Sequence, residues 1–277
     1  MPELPEVETI KKDLEKLIIG SEILDIKTNS AKQIRPSLKE VKKAIVGAKI
    51  KKIKRRAKLL QILLDNKLTL IIHLKMTGRI LIRKKGAKPD KWQRITISLD
   101  NNKELRFADS RKFGWIKLVN QKELKEILAD YGPEPLDDLS LKNFQGILKR
   151  TKRPVKIVLM DQKKISGIGN IYANDALFLA KINPQTPSNK LNTARIKQLF
   201  QAIEKVLKIG LKARGASDQY YLDALGKKGN YQKQFLVYGQ ENKKCSRCGA
   251  KIKRISLGGR GTFFCPQCQK EKSYDQY

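Results

Sequence analysis

Histidine is almost missing from this chain: its 277 residues contain one, His73. Neither a Ser-His-Asp arrangement nor a multi-histidine metal site can be built from it. His73 ends the apolar run Leu68 to Leu74, where a hydrogen-bonded strand residue is the ordinary reading. Cysteine is scarce too, with four in all and none before Cys245. Acids are few: 27 Asp and Glu face 60 Lys and Arg, a formal net charge of +33. Such an excess repels itself unless a polyanionic partner balances it, with nucleic acid the first candidate and an anionic membrane surface the second. Part of the lysine excess is compositional bias, because Ile and Lys recur throughout, so the charge argues for a class of partner and not for a site. Long apolar runs are lacking, and no segment is expected to span a bilayer. The N-terminus is rich in Pro and Glu rather than basic and then apolar, so no secretion signal is expected and the expected location is cytosolic.

The length allows one large domain or two to three modest ones. Its first stretch, Met1-Pro2-Glu3-Leu4-Pro5-Glu6, carries a specific chemistry. Removal of Met1 would leave Pro2 as a secondary amine with a pKa near ~8, against ~10.4 for lysine, hence a nucleophile toward carbonyl carbon. Its adduct with an aldehyde is an iminium that stays positive at any pH and withdraws electrons from the next carbon. Glu3 and Glu6 supply carboxyl groups for proton transfer at the same centre. Taken alone, the six residues favour a plainer reading, in which Pro2 and Pro5 only begin a helix.

The spacing predicts a helix over residues 5 to 19, with Pro5 in its first turn, Gly20 at its stop and Val7, Ile10, Leu14, Leu17 and Ile18 on one apolar stripe. From Ile23 to about Val119 the pattern has period two, with turn signals between short apolar runs, and predicts an antiparallel β domain, sandwich or barrel. The basic run Lys49 to Lys58 reads as a solvated strand face, except that Lys58 precedes the apolar strand Leu59 to Leu64 and is placed to project from its end. Two turns carry apolar side chains that need a reason: Lys75-Met76-Thr77-Gly78 and Asp109-Ser110-Arg111-Lys112-Phe113-Gly114. Each alone is ordinary core packing; together on a very basic protein they suggest an apolar wedge of the kind that unstacks bases.

A boundary near residue 130 follows Tyr131-Gly132-Pro133-Glu134-Pro135, after which helices are expected at about 140–149, 155–161, 170–181 and 193–211. Ser166-Gly167-Ile168-Gly169-Asn170 is a glycine-rich turn opening a helix, a tight connection by default and a phosphate site by its free N–H groups. Residues 215–234 lack periodicity and read as a long mobile loop. Cys245-x-x-Cys248 and Cys265-x-x-Cys268 have the spacing of a four-cysteine zinc site, preferred over disulfides in a chain without a secretion signal. Between the pairs, Leu257 to Thr262 reads as a hairpin turn presenting Arg260.

These motifs, with Met1 to Thr9, His73 to Gly78, Asp109 to Gly114, Gly167 to Ala173 and Gly259 to Cys268, resemble bacterial formamidopyrimidine-DNA glycosylases from end to end. The resemblance implies an α+β multidomain chain. Residues 1–130 would form an N-terminal catalytic antiparallel β-sandwich flanked by an N-terminal helix. Residues 131–235 would form a helix-two-turn-helix domain with a mobile lesion-recognition loop at about 215–234, and residues 236–277 a zinc ribbon. It implies removal of oxidised purines from damaged double-stranded DNA, followed by β,δ-elimination. It also implies one structural zinc on Cys245, Cys248, Cys265 and Cys268, no small-molecule cofactor and a monomer in the bacterial cytosol. Pro2 would be the nucleophile, Glu3 the proton carrier, and Lys58 and Arg260 the groups assisting elimination. His73, Met76, Trp92, Arg111, Phe113, Lys152, Asn170 and Tyr238 would contact DNA. Two departures stand out: Lys91-Trp92-Gln93-Arg94 replaces a histidine-containing segment, and Leu225 stands where an acid is common. Leu4-Pro5-Glu6-Val7 matches the purine branch rather than the endonuclease VIII group. The competing readings are a non-catalytic zinc-ribbon binder of damaged DNA and, more remotely, an RNA-associated zinc-ribbon protein.

Overall fold

The computed structural model describes residues 1–270. The end of the segment assigned to the zinc ribbon, 271–277, lies outside the described residues. The chain forms two compact units: Met1–Asp130 with Gly210–Gln232, and Tyr131–Ile209 with the chain from Lys233 onward.

The first unit opens with α1 (Leu4–Ile18), in which Pro5 falls in the first turn, where a missing N–H costs nothing. Its stripe of Val7, Ile10, Leu14 and Ile18 is buried in the core, as the spacing predicts. Two sheets follow. The first has the order β1 (Ile23–Thr28), β7 (Gln93–Leu99), β8 (Lys103–Ala108), β6 (Arg79–Lys84). The second has the order β2 (Ile34–Arg35), β9 (Trp115–Val119), β5 (Thr69–His73), β4 (Leu59–Leu64), β3 (Ile50–Arg56). Alternate apolar residues of both sheets, among them Ile26, Ile62, Ile72, Ile80, Ile97, Phe107 and Ile116, share one core, which makes the unit a β-sandwich. The pairing is antiparallel except between β2 and β9, a two-residue parallel pair that no periodicity signals. Helices α2 (Leu38–Ile45) and α3 (Gln121–Ala129) are capped by Ser37 and Asn120, whose side chains accept N–H groups of the first turn.

Residues 213–232 have little regular structure, but they are tied down. Tyr221, Asp223, Ala224 and Tyr231 are buried, while Tyr220 and Leu225 remain exposed. Along the edge strand β6, the Ile82 N–H donates to the Ala224 carbonyl at 2.8 Å, Arg79 Nε to Tyr220 at 2.5 Å and Arg83 to Leu225 at 3.3 Å.

The second unit contains α4 (Leu141–Lys149), α5 (Val155–Met160), α6 (Asn170–Leu179), most of α7 (Thr193–Lys212) and the hairpin β10 (Lys253–Leu257)–β11 (Arg260–Phe264). Phe178, Val237, Cys245, Ile252 and Cys265 form a small core of their own. Among the described residues no helix is long and apolar enough to cross a membrane.

Candidate active site and metal centre

Pro2 and Glu3 are both buried at the start of α1, with Glu3 at the helix N-cap. Because α1 is anchored by four core residues, its first turn has a fixed position. Glu6 closes a capping box: one carboxylate oxygen accepts the Glu3 N–H at 2.7 Å. The other accepts the Ala216 N–H, also at 2.7 Å. Asp13, further along the helix, takes the Arg214 guanidinium at 2.7 Å, and Asp223 takes it at 2.6 Å. These two carboxylates hold the Arg214 pKa above its ordinary value.

Lys58 lies directly before strand β4, where the sequence places it. It follows a left-handed turn at Ala57 (φ 54°) and is 5% exposed. Strand pairing sets the neighbouring Leu59 opposite His73. Burial, with the positive charges of Lys75 and Lys58 adding to it, pushes His73 down to about 3. The imidazole is therefore neutral, and its Nδ1 accepts the Lys75 N–H at 2.9 Å. That fixes the tautomer, leaving the proton on Nε2 as a donor.

Met76 and Phe113 are both exposed, at 39% and 54%. Arg111 lies over the Phe113 ring, 4.7 Å from its centroid, a cation–π contact that keeps both side chains extended from the same turn. Trp92 has a left-handed backbone (φ 63°) and is flanked by Lys91 at 4.5 Å and Arg79 at 5.9 Å from its ring.

In the second unit, Asn170 is the first residue of α6, after the glycine turn in which Gly167 takes φ 90°. Its Nδ2 donates to the Gly261 carbonyl at 3.0 Å, tying the helix start to the hairpin that presents the exposed Arg260. Lys156 reinforces that tie from a fully buried position, donating to Gly261 O at 3.1 Å and Thr262 Oγ1 at 2.7 Å. Asp175 accepts three consecutive backbone N–H groups, those of Leu236, Val237 and Tyr238, and so orients Tyr238, whose ring meets Phe263 edge-on. Lys152 is exposed on the turn before α5.

The four cysteine sulfurs lie within 4.8 Å of one another, with Cys245–Cys268 at 3.9 Å and Cys248–Cys265 at 3.5 Å. A tetrahedral zinc with Zn–S bonds of ~2.3 Å requires sulfurs roughly 3.8 Å apart, so the donor set fits one structural zinc. Backbone N–H groups of Arg247 and Cys268 point at Cys245 and Cys265 sulfurs at 3.4 Å, the arrangement that orients thiolate ligands.

Three families cover most of the chain. Residues 1–116 match the formamidopyrimidine-DNA glycosylase N-terminal domain, 131–221 its H2TH domain, and 242–270 a zinc finger found in FPG and IleRS. A formamidopyrimidine-DNA glycosylase of Herpetosiphon aurantiacus is 41% identical over 97% of this chain and all of its own length. The chain belongs to the formamidopyrimidine-DNA glycosylase family. A Streptococcus pyogenes member is 38% identical over 98% of this chain and 100% of its own. Among solved structures, Lactococcus lactis Fpg in complex with DNA containing an abasic site matches with a TM-score of 0.91 at 36% identity, covering 97% of this chain and 100% of that one. The same enzyme with DNA containing N7-benzyl-Fapy-dG matches equally well, covering 98% and 100%.

Within this glycosylase fold, sequence reasoning missed a set of buried polar residues: Asp109, Lys156, Asp175 and the Arg214–Asp223 pair. Each is fully or nearly fully buried, or is paired to a buried acid, and each binds groups distant in sequence. An acid or lysine inside an otherwise apolar stretch is the available signal, since burying one unpaired is costly.

Proposed function

We propose that this chain is a base-excision-repair DNA glycosylase and abasic-site lyase that removes oxidised purines from damaged duplex DNA. The observation that carries the reading is the buried Pro2-Glu3 pair, fixed at the head of a core-anchored helix by the Glu6 carboxylate. The role requires a free Pro2 nitrogen, so removal of Met1 is the first requirement.

The freed nitrogen attacks C1′ of the damaged nucleoside as the C1′–N bond to the base breaks, and Glu3 moves the proton that sugar ring opening requires. The resulting iminium acidifies C2′. Loss of that proton expels the 3′ phosphate, and loss of the C4′ proton then expels the 5′ phosphate. Lys58 and Arg260 assist these eliminations as cations near the leaving phosphates. Neutral His73, through its Nε2 donor, joins Asn170, Tyr238 and Lys152 in holding phosphates, and Trp92 packs against the backbone where other members use histidine. Met76, Arg111 and Phe113 fill the gap left by the extruded nucleotide. Solved relatives are described with Fapy-dG, abasic and oxidised-pyrimidine DNA, which supports a substrate range centred on oxidised bases. We assign residues 1–130 to catalysis, 131–235 to the helix-two-turn-helix domain and 236–277 to the zinc ribbon, in a cytosolic monomer.

Borohydride trapping tests the reading. A duplex with one 8-oxoguanine opposite cytosine should give a covalent adduct that depends on Pro2, and strand scission leaving phosphates at both ends. Binding without adduct or scission, unchanged by Pro2→Gly or Glu3→Gln, would instead identify a non-catalytic binder of damaged DNA.

A further inference from the structure

The exposed apolar side chains of the wedge stand on two separate turns, and each follows a lysine with left-handed backbone: Lys75 (φ 51°) before Met76 and Lys112 (φ 58°) before Phe113. L residues hold that conformation only where the surroundings over-determine it. Here the surroundings converge on one carboxylate, that of Asp109, which is 1% exposed. Its Oδ1 accepts the Thr77 hydroxyl and the Arg111 N–H, the latter at 3.2 Å. Its Oδ2 accepts the Gly114 N–H at 2.8 Å and the Gln33 amide at 3.1 Å. Thr77 adjoins Met76, while Arg111 and Gly114 bracket Phe113.

Neighbouring residues are arranged to serve this carboxylate. A Cβ at position 114 would stand 2.6 Å from Phe107 Cζ and 3.2 Å from Asp109 Oδ2, so only glycine lets the 114 amide come this close. Gln33 spends its NH2 on Asp109 and on the Gly114 carbonyl, leaving its own buried Oε1 without a partner among the described residues. A buried amide oxygen is left unpaired only at a cost. The Asp109 backbone is held as well: its N–H donates to the Trp92 carbonyl at 2.9 Å, and its carbonyl accepts Arg94 Nε at 3.0 Å.

We propose that Asp109 is a positioning residue that locks the Met76 turn to the Arg111–Phe113 turn, so that the wedge enters the duplex as one unit. The proposal rests on the glycosylase reading, because it presumes a duplex to be entered. Four donors meet two oxygens, so Asp109→Asn conserves volume yet sets an NH2 donor against two other donors. The turns then lose their common anchor and move independently.

The test combines a double-substitution cycle with a substrate that needs no wedge. Single-turnover excision of 8-oxoguanine opposite cytosine is measured for the native protein, Met76→Ala, Phe113→Ala and the double variant, each with Asp109 and with Asp109→Asn. Cleavage of a preformed abasic site in a single-stranded oligonucleotide, where there is no duplex to unstack, is measured beside it. With Asp109 intact, the double variant should be roughly tenfold faster than the product of the single effects predicts, because losing half of a rigid wedge disables the other half. In the Asp109→Asn background the single effects should simply multiply, and duplex excision should fall while single-strand cleavage is retained. Equal coupling in both backgrounds overturns the proposal. Should Asp109→Asn lose single-strand cleavage and melt early, Thr77→Val, which removes only the hydroxyl, replaces it. Lost coupling there, restored by Thr77→Ser, supports the proposal, and unchanged coupling overturns it. A native protein inactive on both substrates would sink the glycosylase reading itself, and this proposal with it.

Discussion

Glu6 accepts the backbone N–H of Ala216 at 2.7 Å across 210 residues of sequence, while its second oxygen holds the N–H of Glu3. One carboxylate thus fixes both the buried Pro2-Glu3 start of α1 and the start of the segment that docks on β6. Glu6→Gln keeps the shape but turns one acceptor into a donor facing an N–H. The expected cost is about 1–3 kcal/mol of stability, the penalty for an unsatisfied buried pair. Adduct formation should fall in parallel, since the Glu3 position loosens. Denaturant unfolding and borohydride trapping check the two halves, and a variant as stable and as trappable as the native protein would show that Glu6 anchors nothing.

His73 gives a pH prediction. Its pKa is held down to about 3 in the folded chain against an ordinary 6.5. Between these values the unfolded chain binds the proton and the folded chain does not, so stability rises with pH in that window. The contribution is whole above pH 6.5 and is lost progressively as pH falls toward 3. From pH 6.5 to pH 5 the loss is at most about 2 kcal/mol for this half-buried group. His73→Gln, which cannot titrate, should flatten that part of the stability curve. Parallel curves for the two proteins between pH 7 and 5 would remove the assignment.

Much of this architecture is legible in the sequence, and what is not has a physical reason. The apolar stripe of α1, the period-two strands, the glycine turn before Asn170 and the paired cysteines are local patterns, and local patterns survive reading one residue after another. Met76 and Phe113 were visible because an apolar side chain in a polar turn is out of place. Asp109 and Asp175 were not, because a buried carboxylate is recognised by its donors, and those arrive from other elements. The burial of Lys58 has no local signal for a related reason: its left-handed neighbour Ala57 is neither glycine nor asparagine. The docking of residues 213–232 is also non-local, drawing on Glu6, Asp13, Arg79, Arg83 and the Ile82 N–H, which lie far away in the sequence.

Metal removal should act locally. The purified chain is expected to carry roughly one zinc, and Cys248→Ser to lose it, because three thiolates and a hydroxyl bind zinc less well. The hairpin that presents Arg260 hangs on this site through Cys265, the residue directly after β11. DNA affinity should therefore drop on chelation while the β-sandwich stays folded by circular dichroism. Full affinity in zinc-free protein would detach the metal from DNA binding.

The hairpin tip allows a sharper test, because it sets two adjacent glycines with the same backbone in different surroundings. Gly258 has φ 57° and Gly259 φ 69°, so alanine at either position pays the left-handed penalty of about 1 kcal/mol. Only at 258 does the new Cβ also collide, 2.4 Å from Ile157 Cδ1 on α5, while nothing lies within 4 Å at 259. Gly258→Ala should therefore destabilise the protein more than Gly259→Ala does, by an additional 1–3 kcal/mol or so if Ile157 cannot swing away. It should also weaken DNA binding, since Arg260 stands two residues on. Ile157→Val deletes the colliding methyl, and combined with Gly258→Ala it should recover the excess cost but not the backbone penalty. If the two alanine variants unfold at the same temperature, Ile157 does not seat the hairpin, and the position of Arg260 is set instead by the bonds that Asn170, Lys156 and Asn174 make along β11.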